Sequence, residues 1–99
     1  MPLYLIERNF AEKLQVTPEG AAEINEINDQ ENVRWIISFL SVDKTKTFCL
    51  YEAASKGAIL KAAERSGIPA DVIIEVSEEI TSSGITQGLR LDRFEQPQS

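Results

Sequence analysis

The chain has 99 residues, of which 42% are hydrophobic and 26% are charged, a composition typical of one small globular domain. Its 16 acidic residues outnumber its 10 basic residues, so the formal net charge is -6 and the protein's field repels phosphate backbones and anionic lipid; we expect neither nucleic acid nor membrane as a partner. One cysteine, Cys49, and no histidine exclude an internal disulfide, His-centred triads and histidine metal sites.

The first elements predicted are a strand and a helix. Residues 2–10 pass from an apolar run into charged residues, a pattern that suits a short strand. Thr17-Pro18-Glu19 then combines an N-cap side chain, a proline suited to the first helical position and an acidic residue for the positive end of the dipole. This predicts a helix from residue 17 to about residues 30–32.

A hairpin is predicted next. Residues 33–42 and 46–53 are both rich in β-branched and aromatic residues, and so few residues join them that the two strands must be antiparallel. The connection lacks the Asn-Gly signal of a two-residue turn, which leaves the register open. If the turn is Lys44-Thr45, Phe39 lies opposite Leu50 and Leu40 lies opposite Cys49.

The remaining elements are a second helix and a fourth strand. Ser55 can cap a helix that runs to about Ser66, where Gly67 supplies a left-handed stop and Pro69 prevents continuation. Residues 72–76 are again rich in β-branched residues.

The order strand, helix, strand, strand, helix, strand predicts an α+β, ferredoxin-like fold, in which a four-stranded antiparallel sheet carries both helices on one face. We assign residues 1–80 to this domain and residues 81–99 to a mobile tail, with local pairing only around residues 85–91. The other sheet face is left bare, and its aromatic residues predict either an association surface or a ligand cavity.

Two carboxylates are the most suggestive candidates for a site. Glu7 and Glu52 occupy strand positions among apolar neighbours, where a carboxylate needs a cation, a hydrogen-bond network or a wet cavity. Alternatively, both lie at strand ends in solvent or pair with Arg8 or Arg34.

Two aromatic residues and the thiol complete the set of candidates. Tyr51, beside Glu52, can orient a ligand or merely pack, and Trp35 is a further candidate to contact a ligand. Cys49 has no histidine to activate it, which favours a small buried sheet residue over a nucleophile.

Three segments carry a family resemblance: M-P-L-Y-L-I-E-R-N-F, V-R-W-I-I-S-F-L-S-V-D-K-T-K-T-F-C-L-Y-E-A and G-I-P-A-D-V-I-I-E-V. Together they resemble a small bacterial family of nickel-binding, ferredoxin-like proteins over about residues 1–80. The resemblance implies a homodimer of the dimeric α+β barrel type and a possible nickel cofactor.

The family commonly has histidine at the positions of Ile37 and Ala62, and this sequence has neither. Aliphatic side chains cannot ligate nickel. We therefore expect the metal site to be lost or altered, with Glu7, Cys49 and Glu52 as the remaining candidate ligands.

Three functions stay open at this point. The first is a non-enzymatic dimer that binds a small molecule or a metal in a cavity. The second is a cofactor-independent enzyme of the dimeric α+β barrel kind that acts on a small apolar substrate, with Glu52 or Glu7 as its base. The third is an interaction dimer anchored by Trp35 and Phe39.

The expected location is the cytoplasm. Met1-Pro2-Leu3-Tyr4 lacks the basic and then apolar opening of a signal peptide, and no apolar run approaches the roughly 20 residues that span a bilayer.

Overall fold

The computed structural model describes residues 1–95. The elements in chain order are β1 (Leu3–Asn9), α1 (Pro18–Gln30), β2 (Arg34–Leu40), β3 (Lys46–Glu52), α2 (Lys56–Ser66), β4 (Val72–Val76), β5 (Glu78–Ile80), β6 (Thr86–Gly88) and a short 3-10 helix (Leu91–Phe94).

The predicted α+β, ferredoxin-like fold is confirmed. One antiparallel sheet has the strand order β2-β3-β1-β4, and β1 lies between β3 and β4. Alternate residues of a strand point to opposite faces. We call the side that carries Tyr4, Ile6 and Tyr51 the helix face, because these buried residues form one core with Ile59 of α2, and Ile27 of α1 packs against that core.

The ends of both helices follow their local sequence. Thr17 caps α1, since its Oγ1 accepts a hydrogen bond from the backbone N–H of Gly20 at 3.0 Å. Ser55 caps α2 in the same way through Ala58, and Gly67 ends it with a left-handed φ of 69°. Within residues 1–95, no helix is long and apolar enough to cross a membrane.

The predicted hairpin forms, but the predicted register is wrong by two residues. Phe39 lies opposite Phe48 and Leu40 opposite Thr47, instead of opposite Leu50 and Cys49. The loop is longer than a two-residue turn because the N–H of Ser41 donates to the carbonyl of Lys46 at 2.9 Å. Because side chains alternate between the two faces, a shift of two residues leaves Phe39 and Leu40 on the same faces as in the predicted register.

Asp43 stabilises this longer loop. Its carboxylate accepts hydrogen bonds from the hydroxyls of Ser41 and Thr45 at 2.7 and 2.8 Å and from the backbone N–H of Thr45 at 3.1 Å. The hydrogen bonds from Ser41 and Thr45 lower the pKa of Asp43 below its ordinary value. Lys44 takes the left-handed conformation, with a φ of 63°, that closes the turn.

The side opposite the helices is only partly covered, and we call it the open face. The large apolar side chains that it exposes are Leu5, Phe39, Phe48, Val72 and Ile74. On this face β1 is therefore only partly buried within one protomer.

The C-terminal segment lies against one part of the open face. β5 and β6 form an antiparallel hairpin, so the domain boundary predicted at residue 80 falls inside it. Leu89 and Phe94 join Leu5, Ile37 and Leu50 around a hollow of about 260 Å³. The predicted mobility of residues 81–99 stays a prediction, and residues 96–99 lie outside the described residues.

Candidate functional site

A cavity lies between the helix face of the sheet and the start of α1. Its volume is about 400 Å³. Most of the lining is apolar, and its large side chains include Phe10, Leu14, Ile24, Trp35, Leu40 and Ile68. The polar lining includes Arg8, Thr47 and Tyr51. A mainly apolar cavity of this size with a few polar groups is the usual form of a small-molecule site.

A β-bulge in β2 brings Trp35 to this cavity. Ile37 lies opposite Leu50 on the open face, and regular alternation would place Trp35 on that face too. The register shifts between the two residues, so Trp35 lies opposite Tyr51 on the helix face. The two rings are nearly parallel, with an interplanar angle of 5° and centroids 6.4 Å apart.

The indole N–H of Trp35 is satisfied within its own strand. It donates to the hydroxyl of Ser38 at 2.8 Å, which holds the ring in one orientation beside the cavity. Trp35 and Tyr51 are thus two predicted ligand contacts that the fold brings together. Trp35 lies on the opposite side of the sheet from Phe39, so the two do not form one interaction surface as the third function requires.

Glu7 and Glu52, the other two predicted ligand contacts, lie on the open face at opposite ends of their paired strands. The carboxylate of Glu7 is 3.6 Å from the ammonium of Lys46, and that of Glu52 is 3.7 Å from the guanidinium of Arg34. Neither glutamate lines the cavity. In one protomer the fold therefore separates them from Trp35 and Tyr51.

The three candidate metal ligands are likewise not brought together. Cys49 is buried on the helix face, with its Sγ 3.5 Å from the hydroxyl of Thr47, whereas Glu7 and Glu52 are on the open face. Residues 1–95 contain no group of three or more His, Cys, Asp or Glu side chains that could hold a metal ion. The described donors of one protomer do not fit nickel.

Arg8 is a site residue that the sequence analysis missed. Its side chain belongs to the helix face, is only 3% exposed and lines the cavity. One guanidinium nitrogen donates to the carbonyl of Pro69 at 2.6 Å, and its Cζ lies 5.5 Å from the centre of the Tyr51 ring. The signal was present, since Tyr4, Ile6 and Arg8 alternate along one strand and must share a face.

Tyr51 contributes a neutral hydroxyl to this part of the cavity wall. Burial raises the pKa of its phenol above the ordinary value of 10.0, and the charge of Arg8 opposes that rise. The phenol is therefore protonated at neutral pH and can donate a hydrogen bond.

A structural comparison agrees with the fold. The crystal structure of SCO4226 from Streptomyces coelicolor A3(2) matches with a TM-score of 0.58 and 22% sequence identity, covering 75% of this chain and 94% of that chain. At this identity the similarity establishes the shared fold alone. No curated protein matches the chain.

The sequence comparison is more specific. The family model described as "Nickel responsive protein SCO4226-like" matches residues 4–76, which are most of the chain, and this confirms the resemblance seen in its three segments. The chain therefore belongs to the SCO4226-like family of nickel-responsive proteins.

Proposed function

We propose that this chain is a small, non-enzymatic binding protein that acts as a homodimer and holds a small molecule in the cavity between the sheet and α1. The observation that carries the proposal is the cavity itself, about 400 Å³ with a largely apolar lining. Pockets of roughly 300–1,000 Å³ with such a lining are typical of ligand sites. The stacked rings of Trp35 and Tyr51 would give such a ligand a flat apolar wall.

A neutral apolar probe tests the cavity directly. We expect the fluorescence of N-phenylnaphthylamine to rise on binding, and we expect Ala21→Trp to weaken binding by on the order of tenfold because the indole fills the cavity. The neighbouring Ala22 is exposed and does not line the cavity, so Ala22→Trp is the matched control. Equal binding by the two variants would place the probe elsewhere and contradict the proposal.

The homodimer would use the open face. That face exposes several large apolar side chains, of which Phe39 and Phe48 lie directly opposite each other on neighbouring strands. A second copy, related by a twofold axis, presents the same surface, so the open faces of the two copies can cover each other. This arrangement would be the dimeric α+β barrel type that the sequence predicts.

Loss or alteration of the nickel site is a further part of the proposal. Ile37 and Ala62 offer no metal ligand, and the candidates Glu7 and Cys49 lie on opposite faces of the sheet. Native mass spectrometry with added nickel, cobalt or zinc tests this. We expect the mass of the metal-free dimer, and a stoichiometric nickel adduct that survives desalting would contradict the expectation.

The alternative enzymatic function receives less support. A cofactor-independent enzyme of this kind needs a base in the cavity, and Glu7 and Glu52 both lie on the open face. Tyr51 does line the cavity, but its raised pKa keeps the phenol protonated at neutral pH. A cytoplasmic location also belongs to the proposal, since the lone buried thiol of Cys49 suits a reducing compartment.

A further inference from the structure

Arg8 carries a buried charge that has no acidic partner in the part of the chain that the structure describes. The side chain is 3% exposed, and none of the ion pairs among residues 1–95 includes it. An arginine cannot lose its proton in a protein, so burial cannot be relieved by neutralisation. A buried guanidinium with one carbonyl partner at Pro69 retains donors that an anion would satisfy.

The polar groups around Arg8 do not supply the missing negative charge. Tyr51 beneath the guanidinium is neutral, and Asn28, which lies beside the Tyr51 phenol, is 2% exposed. The Nδ2 atom of Asn28 has no hydrogen-bond partner among the described residues. The N–H and O–H donors of this buried cluster therefore outnumber its acceptors. A structural ion pair would supply a carboxylate as the missing acceptor, and none is present among the described residues.

The rest of the cavity restricts the body of the ligand. Phe10, Leu14 and Ile24 belong to the apolar wall, so a second charge or a strongly polar body would be poorly solvated there. The first turn of α1 also reaches the cavity through Thr17 and Gly20, and the positive end of that helix adds to the local attraction for an anion. The net charge of -6 repels anions elsewhere, so this attraction is local.

We propose that the cavity binds a small monocarboxylic acid with an apolar body, and that Arg8 pairs with its carboxylate. The proposal rests on the binding function proposed above and names the chemical class of the ligand. A guanidinium presents two parallel N–H groups that match a carboxylate. One such group balances a single negative charge, which favours a monoanion over a phosphate dianion.

Octanoate and octanamide are matched probes, because they share the apolar chain and differ in charge. By isothermal titration calorimetry at neutral pH, we expect the unmodified protein to bind octanoate on the order of tenfold or more tightly than octanamide. Octanoate labelled with carbon-13 at the carboxyl gives an independent readout by NMR. Its pKa is expected to fall on binding, because the Arg8 charge favours the carboxylate.

Arg8→Met is the decisive variant. It keeps an unbranched apolar side chain in the strand and removes the charge, so we expect the preference for octanoate to vanish while octanamide still binds. Arg34→Met removes an equal charge from the open face of the same sheet, and this variant is expected to keep the preference for octanoate. Should Arg8→Met not fold, Arg8→Lys retains the charge without the planar fork and is expected to show a reduced preference.

The outcomes separate this inference from the proposed function. Equal affinities for octanoate and octanamide in the unmodified protein, together with binding of N-phenylnaphthylamine, would overturn the acid proposal and leave the binding function standing. Failure of all three probes to bind would overturn both. A preference for octanoate that survives Arg8→Met, or a carboxyl pKa that does not fall on binding, would also overturn the role of Arg8.

Discussion

Replacing Ile6 with Ala is expected to lower the free energy of unfolding by about 2–5 kcal/mol. Ile6 has no exposed surface and lies in the inner strand β1, opposite Cys49 on one side and Ile73 on the other. Truncation leaves a cavity between the sheet and the helices, in the core that Ile6 shares with Tyr51 and Ile59. Since small domains are stable by only about 5–15 kcal/mol, this loss is a large part of the total.

Urea denaturation followed by circular dichroism measures the effect. Ile80→Ala is the matched control, because the same atoms are removed from a side chain that is 76% exposed, and its effect is expected to stay within about 0.5 kcal/mol. Equal midpoints for the two variants would mean that Ile6 does not lie in the core.

The parts of the fold that the sequence predicts well are those that depend on local chemistry. Thr17 and Ser55 cap their helices by accepting hydrogen bonds from N–H groups three residues later, and Gly67 ends α2 because it adopts a positive φ without strain. Each signal lies within a few residues of the helix end. The order of elements then leaves few topologies open, and the ferredoxin-like sheet is one of them.

The hairpin register could not be predicted because it depends on side-chain hydrogen bonds within the loop. Asp43 stabilises the longer connection by accepting hydrogen bonds from the hydroxyls of Ser41 and Thr45. The sequence contains no Asn-Gly or similar dipeptide at this point that would predict the turn type. The bulge that moves Trp35 across the sheet leaves no signal in the residue pattern either. The β5–β6 hairpin was anticipated only as local pairing around residues 85–91, because its strands have three residues each, too few for a periodic pattern.

The candidate site could be predicted in part. Trp35 and Tyr51 were singled out as aromatic residues in strands, and both contact the cavity. Arg8 was considered only as a partner for a carboxylate, since charged residues in strands are usually exposed. The alternation of Arg8 with Tyr4 and Ile6 predicts that it lies on the helix face. Its burial and its lack of an acidic partner among the described residues depend on how β4 and the helices pack around it, which the sequence does not show.

Replacing Phe39 with Asp is expected to convert the proposed dimer into a folded monomer. Phe39 is 58% exposed in the protomer and lies opposite Phe48 on the open face, so the substitution spares the core while it places a charge where a second copy would pack. Desolvating that carboxylate without a partner is costly, and we expect the dimer dissociation constant to rise on the order of a hundredfold or more. Analytical ultracentrifugation across a concentration series gives this constant.

Val42→Asp is the matched control, because it adds the same negative charge at a position outside the proposed interface. Val42 is fully exposed in the loop between β2 and β3 and extends beyond the paired part of the sheet, so its replacement should leave the dimer intact. Circular dichroism should show the same helix and strand content in both variants. A Phe39→Asp protein that remains dimeric would exclude the open face as the interface, and an unmodified protein that stays monomeric at every concentration would exclude the dimer. Since the acid site is built within one protomer, the monomeric variant should still bind octanoate, which makes the two proposals independent of each other.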